Sequence, residues 1–187
     1  MNLENYVKIF EMFDGNQCDN ILNELSRVEF SEHKWVTYSG ENSEEIHQPL
    51  THSGEIGIST TQHNLILDNY HRCLQKYFTD MSFGWYDRWH GFTPPKYIKY
   101  DKLSEMRNHC DHIHTIFDGE LKGIPSLTMV LLLNDDFEGG EFEMFDGQKS
   151  YPLKKGEVII FPSSFLFPHA VRPIIKGIRN SAISWVY

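Results

Sequence analysis

The chain has 187 residues, 40% of them apolar, 23% charged and 14% aromatic, which is the profile of an ordinary globular protein long enough to close a core without disulfides or metal. Seventeen Lys+Arg against 26 Asp+Glu give a net charge of −9, and no basic run is long enough to track phosphates, so nucleic acid is not expected as a partner. Three scattered cysteines, Cys18, Cys73 and Cys110, exclude a disulfide framework or a CxxC knuckle and fit a reducing compartment.

The first residues, MNLENYVKIFEMFDG, carry neither a basic leader nor an export-length apolar run. No later stretch reaches the ~18 apolar residues of a membrane span, so a cytoplasmic protein with no membrane partner is expected. Residues 16–30 read as an amphipathic helix through Ile21, Leu22, Leu25 and Val28, and 62–81 as a second through Ile66, Tyr70, Leu74, Tyr77 and Phe78. Both are expected to pack on a sheet. Between them, the polar and turn-rich 39–57 reads as a surface loop. The aromatic stretch 83–92 reads first as core packing.

After Pro94 and Pro95 the texture changes to short β-prone runs: KYIKY, HCDHI, SLTMVLLL, GEFEMF, KSYPL, EVIIF, HAVRP and SAISWVY. Asn134–Asp136 with Gly139 and Gly140, then Asp146 with Gly147, suit the hairpin turns between them. The expectation is one α+β domain over 1–187, with helical support in about 1–95 and an antiparallel sandwich or barrel in about 96–187.

One of these runs carries chemistry. On a strand His109 and Asp111 share a face, with Cys110 and His112 on the other. An imidazole beside a carboxylate is two-thirds of a facial metal site that leaves three positions open, as Fe(II) requires to bind a chelating co-substrate and oxygen together. With ten histidines in the chain, His-x-Asp is weak alone; the discriminating residues lie downstream. His169 follows the apolar run EVIIFPSSFLF, and Arg179 and Ser181 share a strand face where a guanidinium fork and a hydroxyl can grip a carboxylate. His112 and His114 read as a solvent-facing or hydrogen-bonded pair and Asp135, Asp136 and Glu138 as a solvated turn, since neither group has the remaining ligands of a metal site. Cys110 lacks a base on its own face and is not read as a catalytic thiol.

His109-x-Asp111, LTMVLLLNDDFEGGEFEMF, FPSSFLFPHAVRPIIKGIR and the terminal Trp185 together resemble the catalytic domain of prolyl-4-hydroxylase-type Fe(II)/2-oxoglutarate oxygenases, over 97–187. The resemblance implies a double-stranded β-helix, or jelly roll, with N-terminal supporting helices. It implies that His109, Asp111 and His169 bind Fe(2+) and that Arg179 pairs with the far carboxylate of 2-oxoglutarate. It places Tyr100 and Thr128 beside the co-substrate, completes an Arg-x-Ser pair with Ser181 and puts Trp185 on the substrate side. O2 and ascorbate follow as further ligands.

Three positions depart from the family's pattern: Met106 and Leu132 stand where Tyr is common, and Pro125 where a substrate-side Arg is found. The resemblance implies hydroxylation of a prolyl or other residue in a peptide or protein, and the carboxylate at Asp111 argues against halogenation. Hydroxylation of a free amino acid or small metabolite is the alternative, and a non-catalytic, metal-holding jelly-roll module is the reading from a different class.

Overall fold

A computed structural model describes residues 2–39, 42–54, 58–82, 89–111 and 125–187, with 33–39 and 42–54 described by backbone alone. After a short 3-10 turn (Leu3–Tyr6) come β1 (Lys8–Glu11), α1 (Gly15–Leu25), β2 (Ser31–Ser39), β3 (Asn42–Gly54) and α2 (Thr60–Met81). The remaining strands are β4 (Lys96–Tyr100), β5 (Met106–His109), β6 (Leu127–Leu132), β7 (Glu138–Gly139), β8 (Phe142–Met144), β9 (Lys149–Tyr151), β10 (Glu157–Pro162), β11 (His169–Val171), β12 (Ile174–Lys176) and β13 (Arg179–Val186).

A major sheet runs β1-β10-β6-β13-β4-β3-β2, a minor sheet β5-β11-β8-β9, and β12 pairs with β7; every pairing is antiparallel. Two helices, one large sheet and a smaller facing sheet are the layers of the expected α+β jelly roll.

Strand alternation divides the interior in two. On one face of the major sheet Met129, Leu131, Val158, Ile160, Ala182 and Val186 pack against Cys18, Ile21 and Leu25 of α1 and Ile66, Tyr70, Cys73, Leu74 and Tyr77 of α2. Each such buried apolar side chain contributes about 1.5–3 kcal/mol, enough to fix the helices on the sheet. Tyr70 satisfies its hydroxyl by donating to the Ala182 carbonyl at 2.8 Å. On the opposite face Ile98, Tyr100, Val130, Ile159 and Phe161 meet Met106, Phe142, Met144 and Val171 of the minor sheet. β6 and β10 are covered on both faces, which is why LTMVLL and VIIF read as continuous apolar runs.

α1 starts at a capping box between Asp14 and Gln17. It stops at Leu25, short of residue 30, where the Ser26 hydroxyl turns back to the Asn23 carbonyl. Glu24 accepts from the backbone and the hydroxyl of Ser59, the N-cap of α2, and so ties the two helices together.

Two expectations change. Residues 39–57, read as a loop, lie largely in the β2–β3 hairpin, whose second strand pairs with β4 at the sheet edge. Backbone bonding needs no apolar alternation at an edge, so the polar sequence hid the strands. The segment 1–95 is accordingly not purely helical: β1 completes one edge of the major sheet, and β2 and β3 the other. In the aromatic stretch 83–92, residues 83–88 lie outside the described residues, and Trp89 stacks on Phe78 at 4.9 Å, a packing role. His112 and His114 also lie outside the described residues.

Candidate metal centre and co-substrate cavity

Three cross-strand pairs build the site. His109 and His169, sixty residues apart, are register partners on β5 and β11, and their ring centroids are 4.4 Å apart. Arg179 and Tyr100 are partners on β13 and β4, and Trp185 and Thr128 on β13 and β6. β5 ends at His109, so Asp111 lies just past the strand and its position is fixed by side-chain bonds rather than by alternation. Asp111 Oδ1 lies 3.3 Å from His109 Nε2 and 3.8 Å from His169 Nε2. Its Oδ2 accepts from Thr128 Oγ1 at 2.7 Å and from Trp185 Nε1 at 2.9 Å. The carboxylate thus joins the two sheets across the cavity.

The donor set suits a metal ion. One ligand atom from each of His109, Asp111 and His169 lies within 4.8 Å of the others, and no other such trio occurs among the described residues. His109 Nδ1 is 2.8 Å from the Arg107 carbonyl and His169 Nδ1 is 3.1 Å from the Phe167 carbonyl. A carbonyl can only accept, so each Nδ1 carries a proton and each Nε2 is the atom turned to the centre; on His109 that nitrogen is bonded to Asp111 Oδ1 and would give up its proton to ligate a metal. Two imidazole nitrogens and one carboxylate oxygen form the facial set that selects Fe(II) with open positions.

The same crowding sets the charges. Burial alone would raise the Asp111 pKa, but the electrostatic pull of the neighbouring His169 and the hydrogen bonds from His109 and Thr128 outweigh it and hold the carboxyl well below the usual carboxylate range. Burial and the neighbouring His109 draw His169 down to about 4. For His109, burial pulls downward and is outweighed by the hydrogen bond and charge of Asp111, leaving it above the ordinary imidazole value.

A cavity of about 240 Å³ runs from this centre to Arg179, between walls formed by Ile98, Val130, Phe142 and Val171. Arg179 is 1% exposed, and burial pulls its pKa down while Tyr100 opposes the shift, yet a guanidinium stays charged. Its carbon lies 5.4 Å from the Tyr100 ring centroid. Burial pushes the Tyr100 phenol up to about 12, with Arg179 acting against it and Asp111 with it, so the ring remains neutral. Arg179 Nε and Nη1 and Ser181 Oγ are buried without a hydrogen-bond partner among the described residues. Each such donor costs about 1–3 kcal/mol unmet, so the pair is built to receive an acceptor; a carboxylate satisfies both.

The GG turn lies behind the anchor. A Cβ on Gly140, at φ +66°, would stand 3.1 Å from Arg179 Cδ, and one on Gly139, at φ +79°, 2.4 Å from the Pro173 carbonyl oxygen. Gly139→Ala is expected to cost at least about 2 kcal/mol, a fall of about 4–8 °C in thermal midpoint. A midpoint unchanged within 1–2 °C by calorimetry, about the shift of a neutral surface change, would contradict the placement.

The structure brings His109, Asp111, His169, Tyr100, Thr128, Arg179, Ser181 and Trp185 to one cavity. Met106 also lines it, whereas Leu132 is buried and does not. Cys110 stands outside the lining, 3.5 Å from the Phe165 carbonyl. In the acidic turn, Asp136 accepts from Asn134 and Glu138 pairs with Lys176. Sequence reasoning missed Lys96 and Arg107, which line the cavity, and Ser163, whose hydroxyl lies 2.7 Å from that of Thr128. The alternation that puts Ile98 and Tyr100 inward also puts Lys96 inward; nothing local marks Ser163.

A jelly roll with two imidazoles and a carboxylate at one end of a cavity and a buried cation at the other defines a non-haem iron oxygenase scaffold. Residues 95–187 match the model of the 2OG-Fe(II) oxygenase superfamily. Through that half the chain belongs to this superfamily, with the fold of its prolyl hydroxylases. A PKHD-type hydroxylase from Shewanella baltica is 33% identical over 98 residues, which is 51% of this chain and 43% of that protein, so the chain spans less than half the length of this curated relative. A prolyl hydroxylase from Trichoplax adhaerens, solved with a hypoxia-inducible-factor oxygen-degradation-domain peptide fragment, superposes with a TM-score of 0.70 at 16% identity, covering 98% of this chain and 84% of that one. A Pseudomonas putida prolyl-4-hydroxylase gives 0.66 at 17% identity, covering 97% and 91%.

Proposed function

We propose that this chain is an Fe(II)- and 2-oxoglutarate-dependent dioxygenase that hydroxylates a C–H bond in a prolyl or other residue of a peptide or protein. The observation that carries the reading is the pairing, in one cavity, of the His109–Asp111–His169 set with the unmet donors of Arg179 and Ser181. The relative named as a PKHD-type hydroxylase and the peptide held by the Trichoplax adhaerens enzyme support a peptide substrate.

His109 Nε2, His169 Nε2 and Asp111 Oδ1 would hold the iron. When bound, the iron supplies the oxidative chemistry that uses O2 to convert 2-oxoglutarate to succinate and CO2 and to place one oxygen atom on the substrate carbon. Arg179 and Ser181 bind the far carboxylate of 2-oxoglutarate, and Tyr100 covers the guanidinium with its ring. The apolar walls exclude water, which strengthens every polar contact inside. Ascorbate, as a reductant that keeps the iron ferrous, and a cytoplasmic location belong to the same reading.

Hydroxylation of a free amino acid or small metabolite is the second reading. It is favoured by Lys96 and Arg107, two cationic side chains on the cavity wall that suit a free carboxylate. The test is succinate formation with Fe(II), O2 and 2-oxoglutarate against prolyl peptides, other peptides and free amino acids, followed by mass analysis for a product one oxygen atom heavier. Succinate and an oxygenated peptide are expected. A protein that binds iron but forms no succinate with any of them would restore the non-catalytic module.

A further inference from the structure

We propose that Ser163, Thr128 and Trp185 form a clamp on Asp111 Oδ2 that restricts this carboxylate to one-oxygen ligation and so keeps a third position of the metal open. The inference rests on the reading that the His109–Asp111–His169 set holds Fe(II), and it gives positioning roles to Trp185, which lines the cavity, and to Ser163, which stands behind that lining.

The direction of the bonds follows from counting protons. A ligating carboxylate has no proton to give, so Thr128 donates to Oδ2 across 2.7 Å. The Thr128 hydroxyl has spent its only proton, so at 2.7 Å from Ser163 Oγ it must accept, and Ser163 is the donor. Trp185 Nε1, which can only donate, supplies the second bond to Oδ2 at 2.9 Å. The chain runs Ser163 to Thr128 to Asp111, each bond polarising the next.

The clamp is anchored in the major sheet. Ser163 and Thr128 are each 1% exposed, and the Ser163 N–H is bonded to the Ser126 carbonyl. Thr128 pairs across the sheet with Trp185 on one side and with Phe161 on the other, two residues before Ser163. Oδ2 is therefore engaged by the major sheet, while Oδ1 faces both imidazoles from the minor sheet. With Oδ2 held back, a six-coordinate ion keeps three positions beyond the protein ligands, two for a chelating keto acid and one for oxygen. A chelating carboxylate would leave only two.

The experiment uses Mn(II) as the probe on the full chain, comparing the parent with Ser163→Ala, Thr128→Val, Thr128→Ser and Trp185→Phe. Mn(II) affinity is read by titration, water ligands are counted by pulsed EPR, and thermal unfolding is followed without metal. The parent is expected to hold Mn(II) with three waters. Ser163→Ala, Thr128→Val and Trp185→Phe should weaken binding about 10-fold or more. Thr128→Val and Trp185→Phe should also lose about one water ligand as Asp111 becomes bidentate, whereas Thr128→Ser, which keeps the hydroxyl, stays close to the parent in both. Unchanged affinity and water count in all variants, or losses that merely follow the metal-free unfolding midpoint, overturn the clamp alone. A parent that takes up no Mn(II) removes the metal centre and the proposed function with it.

Discussion

Asp111→Ala is expected to abolish iron binding and 2-oxoglutarate turnover together, with metal affinity falling at least about 10³-fold, beyond the 10–100-fold that outer contacts cost. Asp111 is the only carboxylate in the set, and its two oxygens do separate jobs. Removing it takes one ligand from the ion and strands the donors of Thr128 and Trp185. Asp111→Asn should be almost as damaging, although it conserves size. The amide must turn its oxygen towards those two donors, which leaves its N–H₂ facing the two Nε2 atoms where the ion would sit. The check is an Fe(II) or Mn(II) titration of both variants alongside succinate formation. Undiminished coupled hydroxylation by Asp111→Ala would remove this carboxylate from the mechanism.

The second large effect is expected at Arg179. Arg179→Ala should raise the KM for 2-oxoglutarate by about 10²–10⁴-fold, from two charge-assisted hydrogen bonds at about 1.5–3 kcal/mol each. Because the far carboxylate stays bound throughout the reaction, the loss is one of uniform binding and should fall on KM more than on kcat. Metal affinity without 2-oxoglutarate should hardly change. Stability offers an independent readout: a desolvated, incompletely paired guanidinium is a cost to the fold, so the ligand-free variant should unfold no earlier than the parent. Arg179→Lys restores a point charge without the fork and should recover only part of the affinity. An unchanged KM would place the co-substrate elsewhere.

The elements that could be read from the sequence were those whose burial is periodic or continuous. α2 shows its apolar stripe directly, and the doubly covered β6 and β10 show as unbroken apolar runs. β1 is a four-residue edge strand, and the β2–β3 hairpin is polar, so neither carries a period that a window can detect. Their hydrogen bonds lie between backbones brought together by the rest of the sheet, and such partners are not encoded locally.

The sequence by itself determined which groups are available: two imidazoles and a carboxylate in order, then an arginine and a serine on one strand face. It also determined that Lys96, Ile98 and Tyr100 would share one side of β4, because side-chain alternation is a property of the chain alone. Only the tertiary structure decided that His109 stands opposite His169, that Asp111 turns one oxygen to the imidazoles and the other to Thr128 and Trp185, and that Ser163 directs the proton of that bond. These are register and hydrogen-bond choices between segments up to 74 residues apart. They are made when two sheets close on a common core, and no local pattern records them.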